Sequence, residues 1–264
     1  MLNLRKAWDA AKAETAASTP SPGTTPDARG DPPSIHLIPW DPDSPEHIER
    51  MRLQRVACGW KAEMVRKWAK PQRAGKIGLY WIVLSPSHPQ TDSRLSSHWA
   101  AFEEETTPLK DSVQTGVLGK PHVVDPQLEE FYPIGHISLD AWGGDPQLGT
   151  SADNGVYSLN TFYVSRVLQN CGLGSAAFRE CERMAKEELG AKTITLNTIA
   201  PEELAEDNPT RIKTGRPVPK ITNYDWYFRR GYVIYDRKAN AWEERDPAGN
   251  KYPIECIYMR KDLL

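Results

Sequence analysis

A strand, a tight glycine loop and a helix, read in that order from Tyr157 to Leu189, constrain this chain more than any other stretch. Tyr157–Val164 is aromatic and β-branched without Pro or Gly, which is strand composition. Gln169-Asn170-Cys171-Gly172-Leu173-Gly174-Ser175 follows. Leu173, Ala176, Ala177, Met184, Ala185 and Leu189 then keep a broadly helical period. Gly172 and Gly174 let the backbone turn without a Cβ and let a ligand approach it. The unpaired N–H groups that open a helix, at the positive end of its dipole, would then face an anion. The stretch predicts a phosphate cradle on a strand-to-helix turn, although an ordinary βα turn with a capping glycine pair also fits these residues.

The glycine spacing limits which phosphate compound the cradle takes. A dinucleotide fold needs G-x-G-x-x-G with an acidic residue about 20 residues on, and the third glycine is missing here. A P-loop needs Gly-Lys-Ser/Thr, also missing. Gln169, Gly172 and Gly174 instead fill the pattern Q/R-x-x-G-x-G/A. In this the chain resembles the GNAT superfamily of N-acetyltransferases, whose acetyl-CoA signature has that form, with Val164 at the family's last strand position. Asn223–Tyr232 resembles the family's short fourth helix, which ends Tyr-x-x-x-Gly-Phe/Tyr; Tyr227 stands four residues before Gly231. Arg55–Trp60 and Tyr80–Leu84 are similar to a fungal branch of the superfamily. The likeness runs from about Ile35 onward and is stronger after Pro133.

The resemblance implies a mixed α/β (α+β) fold of the GNAT acyl-CoA N-acyltransferase type. That fold is a central mixed, mostly antiparallel sheet with splayed middle strands and helices on both faces. It would occupy residues 35–264 behind a disordered tail, 1–34. Acetyl-CoA is the implied co-substrate, held by Phe162, Tyr163, Val164, Gln169, Asn170, Cys171, Gly172, Leu173, Gly174 and Ser175, with its pantetheine beside Val164. Asn223, one turn from Tyr227, could also touch it, while Lys220 stands where the family's usual asparagine does. Transfer to a primary amine would proceed by direct attack through a tetrahedral intermediate, helped by a backbone N–H near Val164. Tyr227 is the expected acid for the departing thiolate, and Asn160 is expected to orient a water. Some relatives carry a catalytic carboxylate on the strand before the loop, but residues 156–164 contain none. His136 and Asp140 are the alternatives. Arg229 and Arg230 could meet the cofactor's 3′-phosphate or form a solvated helix end. A small-molecule acceptor is favoured. A protein lysine or N-terminus, or a CoA-binding protein without turnover, are the other readings.

A net charge of −2 over 264 residues gives no basic excess to attract nucleic acid or a membrane surface. Cys58, Cys171, Cys181 and Cys256 lack metal-site spacing and read as reduced thiols, so no metal is expected. No apolar run is long enough to span a bilayer and no signal peptide opens the chain, which points to the cytoplasm, with the nucleus possible. The oligomeric state stays open.

The remaining elements follow from local pattern. Five prolines between Pro20 and Pro33 interrupt the tail, in which Leu2–Ala13 is a candidate short helix. Ile35–Pro39 reads as a strand. Ser44 and Pro45 then start a helix whose apolar face would be Ile48, Met51, Leu53, Val56 and Ala57. A second helix is expected from Lys61 to Ala69, stopping before Pro71, and Leu79–Leu84 reads as a doubly buried strand. Residues 85–131 show no period and read as a long insertion, either a solvated loop or an acidic lid carrying Glu103, Glu104, Glu105, Glu129 and Glu130. Removing 86–129 should then leave acetyl-CoA binding intact. Ile134–Leu139 and Thr193–Ile199 are strands, and 201–220 is a loop. Tyr232–Asp236 and Ile254–Met259 should pair antiparallel across the turn at Asp246–Asn250.

Overall fold

The computed structural model describes residues 34–114, 116–142 and 144–263. The stretch read as a tail lies outside them except for Ser34. Among the described residues, nine strands and six α-helices follow one another as β1 (Ile35–Pro39), α1 (Pro45–Cys58), α2 (Val65–Arg73), β2 (Ile77–Leu84), α3 (Thr91–Ala101), β3 (Leu109–Lys110), β4 (Glu130–Phe131), β5 (Pro133–Asp140), β6 (Val156–Val164), α4 (Leu173–Arg183), β7 (Thr193–Ile199), α5 (Pro209–Thr214), α6 (Asn223–Phe228), β8 (Val233–Arg245) and β9 (Lys251–Asp262). Seven strands form one sheet in the order β1-β2-β5-β6-β7-β9-β8. Every neighbouring pair is antiparallel except β6–β7.

That parallel pair is short. Val156, Tyr157 and Ser158 lie against Thr193, Ile194 and Thr195, and then the strands part while β7 stays paired to β9 as far as Ile199. The sheet is therefore split from Leu159 onward. α4 packs on one face against β1, β5 and β6, burying Leu173, Ala177, Phe178 and Cys181 in a core with Ile137, Leu139, Leu159 and Ile194. α1 and α2 cover the other face, where Trp40, Met51, Val65, Leu79 and Trp81 form a second core.

Helix α1 starts as its sequence dictates: Ser44 accepts a hydrogen bond from the His47 N–H at 3.2 Å, and Pro45 takes the first turn. Its buried face differs from the expected apolar one. Met51 is buried, but Val56 is exposed, and the other inward side chains are His47, Arg50, Gln54 and Arg55. Each is answered by a polar partner. His47 accepts from the Trp81 indole at Nδ1 and donates from Nε2 to the Lys110 carbonyl. Arg50 donates to the Thr107 carbonyl at 2.7 Å, and Gln54 donates to Glu105 at 2.8 Å. Helix α2 also runs past Pro71 to Arg73.

Lys110, Thr107 and Glu105 lie in the segment expected to be a periodless insertion, which is instead integral to the fold. Helix α3 turns inward Thr91, Leu95 and His98, spaced as one helical face but carried by Thr and His, so the apolar period is masked. Leu109, Val113, Val117 and Leu128 enter the cores, and His98 meets Ser165, just past β6, at 2.9 Å. Deleting 86–129 is now expected to unfold the protein rather than spare cofactor binding. A milder test is Glu105→Ala. This carboxylate is buried beside Arg50 and His98 and accepts from Gln54. Its loss should lower unfolding free energy in urea by about 3 kcal/mol, the scale for stripping one partner from a buried charge cluster.

Two later segments are also more ordered than their composition suggested. Asn208 caps α5 inside the stretch expected to be a loop. The closing hairpin turns at Asp246–Asn250 as anticipated, but its strands are far longer. Ala239, Asn240 and Ala241 on β8 oppose the single residue Glu255 on β9, and Asn240 has φ +54°. Such a bulge bends a hairpin, and Trp242 packs against Leu148, Cys256 and Tyr258.

Candidate active site

Strand β6 is itself bent at the split. His136 pairs with Tyr163 and Ser138 with Asn160, so one β5 residue faces both Thr161 and Phe162. Thr161 takes φ +49°, a left-handed conformation that a β-branched residue adopts only under constraint. Gly135 allows β5 and β6 to approach here, since a Cβ would collide with the Tyr163 carbonyl oxygen. Phe162 and Val164 reach the α4 core, whereas the Tyr163 ring lies 5.5 Å from His136 on the opposite face.

After β6 the chain passes Gln169, whose side-chain amide donates to the Val164 carbonyl at 3.2 Å and fastens the loop to the strand end. Asn170 (φ +65°) and Gly172 (φ +81°) then turn it into α4. Gly172 is the N-cap and offers no side-chain acceptor. The first bond to close the helix runs from Ala176 N–H to the Gly172 carbonyl at 3.0 Å. The amides of Leu173, Gly174 and Ser175 therefore have no acceptor among the described residues. A Cβ on Gly172 would meet nothing within 4 Å, so this turn faces open space. Cys171, between Asn170 and Gly172, is exposed, with its sulfur 3.7 Å from the Gln169 carbonyl. Free amides, the dipole of an 11-residue helix and an open approach suit a pyrophosphate.

One residue beside this turn was only half visible in the sequence. Arg230, beyond α6, stacks 3.2 Å from the Trp226 ring centre and donates to the Trp226 carbonyl and to Ser175 Oγ. A guanidinium at the positive end of a helix is unfavourable unless an anion joins it, and burial accordingly lowers its pKa. Arg229 is exposed, with no side-chain hydrogen bond among the described residues, and Asn223 is an exposed first residue of α6 with none either.

Helix α6 packs against β7 and starts with a reciprocal capping box between Thr222 and Asp225. It sets the Tyr227 ring 5.6 Å from Phe178 and 6.1 Å from Tyr232, with Trp226 against Phe162 at 5.9 Å. The Tyr227 hydroxyl bonds to no described residue. Loss of hydration pushes its pKa up to about 12, against a smaller opposing pull from Arg230.

On the α1/α2 face, Ser138 and Asp140 of β5 lie across from Asn160 and Ser158 of β6. Asn160 donates to Asp140 Oδ2 at 3.0 Å and to Ser158 Oγ at 2.9 Å, so it holds a carboxylate rather than standing alone. The other Asp140 oxygen and the Ser138 hydroxyl are buried without a well-formed hydrogen bond. Burial raises the Asp140 pKa to about 7, only partly offset by Ser138, Asn160 and the charge of Lys61. His136 is different. Its Nδ1–H meets Gln54 Oε1 at 2.9 Å, its Nε2 accepts from Arg55 at 3.3 Å, and burial with Arg55 pulls its pKa well down. Both His136 ring nitrogens are therefore occupied, whereas Asp140 keeps one oxygen without a well-formed hydrogen bond. Its signal was the polar alternation Ser138/Asp140 and Ser158/Asn160 in two buried strands, readable only once those strands are paired.

Residues 76–207, half of the chain, match the acetyltransferase (GNAT) family, and the chain belongs to that family. No curated protein matches it. Solved structures similar to it include an aminoglycoside 6′-N-acetyltransferase complexed with coenzyme A, at 13% identity over 87% of this chain and 97% of that one, TM-score 0.46. Others are the IAA acetyltransferase of Bacillus cereus, at 12% over 87% and 98%, TM-score 0.44, and Arabidopsis thaliana NAA60 with a bisubstrate analogue, at 12% over 87% and 99%, TM-score 0.46. The protein is thus a GNAT-type N-acetyltransferase with acetyl-CoA as co-substrate. Among the described residues no acidic, His or Cys cluster is fit to hold a metal, and no helix is long and apolar enough to cross a membrane.

Proposed function

We propose that residues 35–264 form one catalytic domain that moves an acetyl group from acetyl-CoA to the primary amine of a small molecule, with Asp140 as base and Tyr227 as acid. The observation that carries this is the disposition of the two groups about the split between β6 and β7. Asp140 lies on the α1/α2 face beside Asn160, and Tyr227 packs on the α4 face with Phe178. Amine and cofactor would meet through the sheet from opposite sides.

In this reading the amides of 170–175, with Arg230, hold the pyrophosphate, and residues 162–164 line the pantetheine. Acetyl-CoA supplies an activated thioester carbonyl. The amine nitrogen attacks that carbon, its proton passes to the Asp140 carboxylate, the C–S bond breaks, and Tyr227 protonates the thiolate. A phenol with a pKa near 12 is fully protonated at neutral pH, and a carboxylate near 7 is half available. The four free cysteines suit a reducing compartment, the cytoplasm or nucleus.

Thermal shift with acetyl-CoA, followed by CoA release across an amine panel, tests the whole reading. Binding without turnover of any amine would leave a CoA-binding protein instead. Tyr227→Phe keeps the ring contacts and removes the proton. Its kcat should fall roughly 10²-fold, the low end for lost acid catalysis, with CoA affinity within a few-fold of the parent. Unchanged kcat would dismiss it as the acid.

A further inference from the structure

A buried histidine ties helix α3 to the chain just ahead of the glycine turn. His98 Nδ1 lies 2.9 Å from Ser165 Oγ, 67 positions away, and both residues are buried. Ser165 follows the last residue of β6 and opens the short turn 166–168, yet its hydroxyl caps nothing there. Its backbone belongs to the frame: the N–H donates to the Ile134 carbonyl at 2.7 Å, and the carbonyl accepts from Leu168 at 2.9 Å. Helix α3 packs along the same turn. The hydroxyl is thus the one group of Ser165 that reaches beyond sheet and turn, and it goes to His98.

The imidazole is steadied from its other side. His98 Nε2 lies 3.4 Å from Glu105 Oε2, an electrostatic contact rather than a well-formed hydrogen bond, and the Phe102 ring lies 5.2 Å away. Glu105 also accepts from Gln54, whose side-chain oxygen meets His136 Nδ1 at 2.9 Å. A carboxylate beside Nε2 keeps the proton on that nitrogen and leaves Nδ1 to accept from Ser165. Downstream, Gln169 fastens to the Val164 carbonyl, and the amides of residues 173–175 have no acceptor among the described residues. Those amides stand between two supports, the core under α4 and the anchored end of β6. A turn that presents several amides to one anion loses affinity when either support loosens, since binding must then also order it.

We infer that His98 is a positioning residue for the cofactor: by holding Ser165 it sets where the chain from 166 to 175 presents its amides to acetyl-CoA. This rests on the acetyltransferase reading above. Ser165→Ala and His98→Gln should each raise the calorimetric Kd for CoA about 10-fold, about 1.4 kcal/mol, the scale of one buried hydrogen bond. Gln reaches the place of Nε2 and leaves Ser165 without its acceptor. His98→Asn instead keeps an oxygen close to the place of Nδ1 and should restore most of the affinity. The double variant Ser165→Ala/His98→Gln should bind no worse than either single one, because both remove the same bond. KM for acetyl-CoA should rise in Ser165→Ala while kcat at saturating acetyl-CoA stays at the parent value. Met51→Ala, in the core on the other face, should lower the melting temperature and leave Kd alone. Amide hydrogen exchange of the ligand-free protein adds a readout independent of CoA: in Ser165→Ala it should quicken more across 166–172 than across β7. A folded Ser165→Ala protein that binds CoA like the parent would overturn the inference, as would losses that add to about 100-fold in the double variant. Ser165→Ala decides alone if the His98 variants fold poorly. A wild-type protein that binds no CoA would count against the acetyltransferase reading instead. Quickened exchange across 166–172 would then still support the hold of His98 on the turn, and unchanged exchange would overturn it.

Discussion

Gly174→Asp is expected to raise the dissociation constant for acetyl-CoA by at least ~100-fold, about 2.7 kcal/mol, in a protein that folds as well as the parent. Gly174 is the second residue of α4, with ordinary helical backbone rather than a positive φ. A Cβ there would lie 3.4 Å from Phe162 Cζ and 3.7 Å from Val164 Cγ2, close but tolerable. An acidic side chain in the first turn of a helix favours the helix by up to about 1 kcal/mol. The same carboxylate would occupy the free amides and repel the pyrophosphate. Stability and binding should therefore move apart: melting temperature kept or raised, CoA affinity lost. Gly174→Ala should cost only a few-fold in affinity, while Gly172→Ala, at φ +81°, should lose stability by about 1 kcal/mol. Calorimetric titration with CoA decides the matter. A folded Gly174→Asp protein that binds CoA like the parent would remove the cradle from residues 170–175.

Much of the proposed site is legible in the chain itself. Glycine spacing, a proline-free aromatic strand and a following helical period mark the proposed cradle because each reflects a local backbone requirement. Tyr227 and Gly231 are legible for the same reason: a helix must end, and Gly231 at φ +89° ends this one. Apolar periodicity fails where the buried face is polar. The inner surface of α1 is His47, Arg50, Gln54 and Arg55, residues that pattern analysis places outside. The first three find partners in residues 105–110, so helix and insertion become intelligible only together. The proposed base is hidden similarly. Asp140 ends a strand and looks like a turn residue, and its raised pKa comes from burial that the assembled sheet imposes, against the lowering pull of Asn160 on β6. Arg230 reaches Ser175 across 55 positions, a pairing that no sequence window contains.

Asp140→Asn is expected to lower kcat/KM by about 10³-fold, within the 10²–10⁴ range for a lost general base, while making the protein more stable above neutral pH. The two effects share one cause. Burial raises the Asp140 pKa from 3.8 to about 7 in the folded state, so between those values the folded protein binds more protons than the unfolded chain. Stability conferred by the neutral acid is full below about pH 3.8 and is lost as pH rises through about 7. An amide carries no charge at any of these pH values and still accepts from Asn160. The variant should melt like the parent at low pH and progressively above it as pH increases to neutrality. Catalysis should show the mirror image. The parent's kcat/KM should climb with pH up to an apparent pKa near 7, and that limb should vanish from the residual activity of the variant. A merely structural Asp140 would leave the limb in place. Loss of activity together with a lower melting temperature at pH 8 would show that the carboxylate supports the fold rather than the proton transfer.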